Sequence, residues 1–327
     1  MFGKFFPIMT AAVLLAFAPA AAQDNPKEYP NRPVRAIVTV PAGSFTDIVA
    51  RRIAVSASAV MRQTWIVENR PGANFIAGAE ACRHAKPDGY TVCVFTTSTL
   101  TFNPFLVENL PYVPERDFTP IILLSMFDGG LVASPTLKVK NIEELRALAV
   151  KNSGKFNFGT YGPASSPNVF RHYISELWKT EIVEVPYKGA NELVSALKAG
   201  EIHMTYSALG TWANDNPNEE KGRVMVQDFP KRSPRLPDAP TYAEAGIDFP
   251  ITTWVGLFAP AGVPTDIINQ INKQVAEAID KPDVNAWLTE RVLAPRITSA
   301  KEFEAFIARE REETGKMLRK FNVPKIK

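Results

Sequence analysis

VRAIVTVPAGSFTDIVAR, residues 34–51, reads as a strand, a tight loop and a helix. Val34, Ile37, Val38 and Val40 are apolar and β-branched, which suits a buried parallel strand. Pro41 ends it, and Ala42, Gly43 and Ser44 are small enough for another group to approach the backbone. Thr46 and Asp47 supply N-cap and first-turn chemistry for a helix carrying Ile48, Val49 and Ile53. A small-residue loop entering a helix offers free N–H groups and the positive end of the helix dipole. Such a loop suits an anion, most simply a carboxylate. The alternative is an ordinary connection in an α/β domain.

Upstream, Lys4, the uncharged apolar run 8–18 and Ala20-Ala21-Ala22 form a signal-peptide pattern over residues 1–22, with cleavage near Ala22. The run is short for a transmembrane span, and no cysteine near the cleavage point offers a lipid anchor. Export to the periplasm without a direct membrane anchor is the expectation. The 327 residues are 46% hydrophobic and 22% charged, with a formal charge of +3. About 300 residues after cleavage favour two domains over one. Scattered charges of both signs give no signature of nucleic-acid or membrane-surface binding.

Downstream, Trp65-Ile66-Val67 reads as a second strand and residues 74–84 as a helix whose entry, Ala73, Asn74 and Phe75, aims further N–H groups at the same place. Residues 90–97 are a third strand closed by hydroxyls, Ser98 and Thr99, where open α/β sheets bind ligands. A strand at 118–125 leaves the first domain. In the second, strand 156–160 ends at Thr160, and the loop 161–168, with Ala164 and Ser165, faces back by symmetry. Strands 182–186 and 202–207 end beside Tyr187 and at Tyr206 and Ser207, and residues 223–229 read as the crossing back. Cys82 and Cys93 fall on adjacent elements. Export permits a disulfide between them, with a free buried thiol as the alternative.

Several motifs, in order along the chain, resemble the TctC/Bug family, extracytoplasmic solute-binding components of tripartite tricarboxylate transporters. They are VPAGSFTDIVAR, then Ile66-Val67-Glu68-Asn69-Arg70-Pro71-Gly72-Ala73, Lys86-Pro87-Asp88-Gly89-Tyr90, Asn103-Pro104 and Arg116-Asp117-Phe118-Thr119-Pro120. Val185-Pro186-Tyr187-Lys188-Gly189, Tyr242-Ala243-Glu244-Ala245-Gly246 and Gly256-Leu257-Phe258-Ala259-Pro260-Ala261-Gly262 continue the match. The resemblance implies an α/β, two-domain fold like the type II periplasmic binding proteins, with a ligand cleft between the domains. It implies domain 1 at 29–125 plus 226–327 and domain 2 at 126–223, joined by two crossings that act as a hinge. It places Ser98, Thr99, Tyr187, Tyr206 and Ser207 at the cleft. The chain departs from the family at Ser44, with bulky Phe45 next to it, and at Asn74 and Phe75, since glycines are usual at the Ser44, Asn74 and Phe75 positions. The two phenylalanines either wall the cleft or pack inward.

No nucleophile elbow, phosphate-binding loop or zinc-protease motif is present in the sequence, and His84, His172 and His203 lack metal-ligand spacing. Asp47 reads as the residue that fixes the opening loop, since a bare carboxylate in the pocket would oppose an anion. The expectation is a binding protein without catalytic residues, cofactor or metal. It captures a small organic acid for membrane subunits of a tripartite tricarboxylate-type transporter. A sensor that reports the acid to a membrane receptor is the alternative, and an exported hydrolase using Ser98 or Ser165 is a remote third.

Overall fold

The computed structural model describes residues 29–127, 129–212, 222–229, 231–233, 235–291, 293–321 and 323–326. The signal-peptide pattern lies outside the described residues.

The first half of the chain alternates strand and helix: β1 (Val34–Val38), α1 (Phe45–Met61), β2 (Trp65–Asn69), α2 (Ile76–Arg83) and β3 (Thr91–Thr96). Two short helices, α3 (Asn103–Leu106) and α4 (Pro114–Asp117), lead to β4 (Phe118–Phe127). The first sheet runs β2-β1-β3-β10-β4-β11, where β10 is Thr253–Pro260 and β11 is Leu293–Pro295. β1 pairs in parallel with β2 and β3, and β10 lies antiparallel between β3 and β4.

Alternation along the strands explains why both faces are covered. Val34, Ala36 and Val38 join the cluster beneath α1 and α8 (Thr265–Asp280), with Ile53, Ile271 and Val275. Ile37, Cys93 and Phe95 point the other way, onto Trp254, Phe258 and Phe303. Phe303 belongs to α10 (Ala300–Lys320), which opens with a capping box formed by Ser299 and Glu302. Cys82 and Cys93 are bonded to each other, with Cα atoms 6.1 Å apart.

β4 hands the chain to β5 (Gly129–Ala133) in the second sheet. There α5 (Ile142–Lys151), β6 (Phe156–Thr160), α6 (Ser166–Trp178), β7 (Ile182–Pro186), α7 (Ala190–Ala199) and β8 (Met204–Ala208) follow. The order β7-β6-β8-β5-β9 repeats the pattern of the first sheet: three parallel strands, then an antiparallel one. β9 is Arg223–Gln227. This corrects the reading of 223–229 as a crossing, because β9 pairs antiparallel with β5 and the return to the first sheet follows it. Val226 therefore lies in the second sheet, and Met126 and Phe127 complete β4 in the first. The buried Gln227 amide donates to the Leu236 carbonyl at 2.9 Å, and its oxygen accepts from Ser233 N–H at 2.8 Å, pinning the proline-rich return.

A short helix α9 (Pro282–Glu290) and the three-residue β11 had no sequence counterpart. Of α10, Met317 and Leu318 join the second-half core, beside Phe102, Leu106 and Phe170.

Candidate ligand cleft

In both sheets the strand order reverses beside the first strand of a β-α-β-α-β run, and ligands of open α/β sheets bind beyond the carboxyl ends at such a switch point. The loops after β1, β2, β3, β6, β7 and β8 all contribute to one cleft of about 800 Å³.

The opening loop is held from below. Gly43 takes a left-handed turn, φ +78°, and its N–H donates to Asp47 Oδ2 at 2.8 Å. The same carboxylate accepts from Arg51 Nε at 3.0 Å and from Asn69 Nδ2 at 2.8 Å. Burial pushes the Asp47 carboxyl up, but Arg51, Asn69 and the Gly43 amide outweigh it and hold it below the usual carboxylate range. Ser44 caps α1, its hydroxyl accepting from Asp47 N–H. Asp47 is thus buried under the loop and does not line the cleft. Ser44, Phe45 and Thr46 line it, and as first-turn residues Phe45 and Thr46 have no acceptor one turn back for their amides. Ala42 and Gly43 sit outside the lining, exposed at the lip.

Ala73, Asn74 and Phe75 occupy three successive left-handed positions, at φ 47°, 53° and 71°. Each costs on the order of 1–2 kcal/mol for a residue other than glycine. The trio is anchored by Asn103, whose amide donates to the Asn74 carbonyl at 2.9 Å and to Tyr112 Oη at 2.9 Å. Tyr112 in turn donates to the Thr99 carbonyl at 2.7 Å. All three residues of the trio line the cleft, and Phe75 precedes α2 without a side-chain cap. Thr99 lies behind this network and does not reach the lining, whereas Ser98 does. Ser98 also begins a five-residue π-helical turn that replaces the expected strand end.

On the opposite wall, Thr160 and Ser165 spend their hydroxyls on the loop. Thr160 Oγ1 donates to Glu184 Oε1 at 2.7 Å and accepts from Gly162 N–H at 3.1 Å. Ser165 Oγ donates to the Gly162 carbonyl at 2.6 Å and accepts from Tyr161 N–H at 3.2 Å. Ser165 lines the cleft, while Thr160 and Ala164 are buried behind it. The helix of this loop begins at Ser166, earlier than expected, because Pro167 falls in the first turn where a missing N–H costs nothing. Tyr187, Tyr206 and Ser207 line the cleft as expected of strand ends. Tyr206 packs on Phe170 at 4.7 Å between ring centres and reaches Asp228 Oδ2 at 3.3 Å. Burial holds its phenol far above the ordinary value, with Asp228 adding to the effect.

Sequence reasoning missed Thr96, Phe127, Tyr161, Lys188, Thr211 and Thr253, which also line the cleft. Thr96 and Tyr161 stand at or just past the ends of β3 and β6, where the switch-point rule would have found them. Burial pushes the Tyr161 phenol up to about 12, against a hydrogen bond with Ser207.

The charged lining residues are Lys188 and Glu192, both exposed, and Glu192 accepts from the Lys188 N–H at 3.3 Å. Inside, positive potential comes from the amino ends of α1, α2, α6 and α7, each of which begins at or directly after a lining residue. The walls approach closely at the lip: a methyl group on Gly162 would lie 3.1 Å from Asn74 Oδ1 of the opposite half.

The family model of the tripartite tricarboxylate transporter family receptor matches residues 49–323. The chain belongs to this receptor family. A Cupriavidus necator protein named for the gbd 5′ region is 30% identical over 324 residues, covering 97% of this chain and 95% of its own. The receptor's fold matches R. palustris Rpa4515, solved with adipate, at a TM-score of 0.86, 25% identity, and 91% and 100% coverage of the two chains. It matches MatC of Rhodopseudomonas palustris, solved with bound malate, at 0.83, 28% identity, and 89% and 100% coverage. The receptor thus has the periplasmic binding protein fold that the motifs implied. Among its described residues, no helix is long and apolar enough to cross a membrane, and no group of three or more His, Cys, Asp or Glu is placed to hold a metal ion.

Proposed function

We propose that this receptor, exported by its N-terminal segment, captures a small organic acid between two lobes. It then presents the acid to membrane subunits of a tripartite tricarboxylate-type transporter. The observation that carries this reading is the convergence of four helix amino ends on one cleft whose interior bears no charged side chain. Fixed dipoles stabilise an anion without a buried counter-ion, and the ligand is released when the lobes part. The segments after β4 and β9 serve as the hinge. Ala42 and Gly43 stand at the lip as part of the opening loop, and Asp47, Thr99, Thr160 and Ala164 support the loops that touch the acid. Ser44, Phe45, the 73–75 trio, Ser98, Ser165, Tyr187, Tyr206 and Ser207 make the contacts. A hydrolase is disfavoured because the Ser165 proton is committed to the Gly162 carbonyl rather than to a base.

Thermal unfolding of the mature protein against a panel of organic acids tests the reading. An acid at 100 times its dissociation constant adds about 2.7 kcal/mol and raises the melting temperature. Recovery of the acid unchanged and loss of its uptake on gene deletion are the expected results. No shift with any acid, or a converted acid, overturns the reading.

A further inference from the structure

Thr96 is the last residue of β3, lines the cleft and is 8% exposed. Its hydroxyl has no hydrogen-bond partner among the described residues. Its neighbour Thr97 accepts from Trp254 N–H at 2.8 Å and donates to the Thr252 carbonyl at 3.1 Å. A buried hydroxyl left unpaired costs roughly 1–3 kcal/mol, so an unpaired hydroxyl on a residue that lines the cleft points to a ligand atom that would pair it. Around it the lining is aromatic: Phe45, Phe75, Phe127, Tyr161, Tyr187 and Tyr206. Phe45 and Phe127 pack at 5.6 Å between ring centres and 54°. The volume, about 800 Å³, falls within the range of roughly 300–1,000 Å³ typical of pockets for drug-sized ligands. Phe127 and Tyr206 are already buried, whereas Phe45, Phe75, Tyr161 and Tyr187 stay partly exposed, and a flat ring covers more of them than a four-carbon diacid does.

Resting on the acid-binding reading above, we propose that the ligand is an aromatic carboxylate. Its ring lies among the six aromatic side chains, and its carboxylate meets the amino ends of α1 and α2, with the Thr96 hydroxyl donating to it. Thr96 is then a specificity-determining contact. The ring faces supply apolar and edge-to-face contacts that an aliphatic chain of equal length satisfies less well.

Isothermal titration of the mature protein with benzoate, 4-hydroxybenzoate, benzene-1,4-dicarboxylate, adipate and malate is the test. At least one aromatic acid is expected to bind 10-fold or more tighter than adipate and malate. Thr96→Val, which removes the hydroxyl at nearly constant shape, weakens that acid by ~5–10-fold, the worth of one hydrogen bond. Thr96→Ser keeps it within about 2-fold. The ligand-free Thr96→Val protein melts no lower than the wild type, because an unpaired buried hydroxyl is gone. Tighter binding of adipate or malate overturns the aromatic class and leaves the acid-binding reading standing. Failure of every acid to bind overturns both. Wild-type affinity in Thr96→Val, or a lowered melting temperature that accounts for its loss, overturns the role of Thr96.

Discussion

Replacing Asp47 by alanine is expected to unfasten the opening loop from the sheet. The carboxylate, 2% exposed, accepts three side-chain or backbone hydrogen bonds, from Gly43, Arg51 and Asn69. A hydrogen bond to a charged group contributes about 1.5–3 kcal/mol. Arg51 is 48% exposed, so its share is discounted for screening. The Gly43 and Asn69 bonds then give a loss of roughly 3 kcal/mol in Asp47→Ala. Asp47→Asn keeps an oxygen for Gly43 but turns an amide donor toward the Asn69 donor, at a cost of about 1–2 kcal/mol. Urea unfolding measures both, and titration of the bound acid measures the second consequence, an affinity at least ~10-fold weaker as the loop loses its preset shape. The sign with pH follows from the depressed carboxyl. Its stabilisation is complete above the unfolded value near 3.9 and is lost as pH falls through the lower folded value. Asp47→Asn therefore flattens that part of the acid transition. A stability within about 0.5 kcal/mol of wild type in Asp47→Ala, with unchanged affinity, would refute the reasoning.

Gly129→Ala sets a methyl carbon against Tyr206 Oη, far inside van der Waals contact, so the ring must shift from the cleft floor. A melting curve should show a loss of about 1–3 kcal/mol and titration a weaker acid; wild-type values in both would contradict the packing. Reduction of Cys82–Cys93, which closes 11 residues of sequence separation, should cost about 3 kcal/mol in the chain-entropy model, read from urea curves with and without a phosphine reductant. Neither cysteine lines the cleft, so the affinity of the folded reduced protein should hold. Burial, with the Arg171 charge beside it, pulls His172 down to about 4, and its Nε2 lies 2.9 Å from Arg171 Nη2. The folded imidazole stays neutral while the unfolded one protonates near 6.5. Stability is therefore complete above about pH 6.5 and declines as pH falls from there toward the folded value. The ring is half-buried, so screening reduces the effect to roughly 1–2 kcal/mol. His172→Gln should abolish that decline between pH 7 and pH 5, and an unchanged slope would exclude His172 as its source.

Local signals carried much of the architecture. β6 and β7 run over the residues the sequence predicts, 156–160 and 182–186. The supporting role of Asp47 followed from its place in a first turn. What failed depended on pairing across long separations. Arg223–Gln227 carries nothing that distinguishes a crossing segment from an antiparallel edge strand, and only β5 decides it. Thr96 and Thr97 look alike in sequence, yet β10, some 155 residues on, engages one hydroxyl and leaves the other. Ser165 lines the cleft and Thr160 lies behind it, and which hydroxyls serve the loop is set by Gly162 and Glu184. Phe45 and Phe75, open to either packing or walling, do both: each lines the cleft while resting against the first-half core.

The crystal structure of the mature protein with its tightest-binding acid tests the central claim most directly. The account predicts one carboxylate within hydrogen-bonding distance of the backbone amides at Phe45 and Thr46 and of the 73–75 turn, directly or through one water, with the lobes closed over it. A ligand bound away from the amino ends of α1 and α2, or a cation in the cleft, would contradict it.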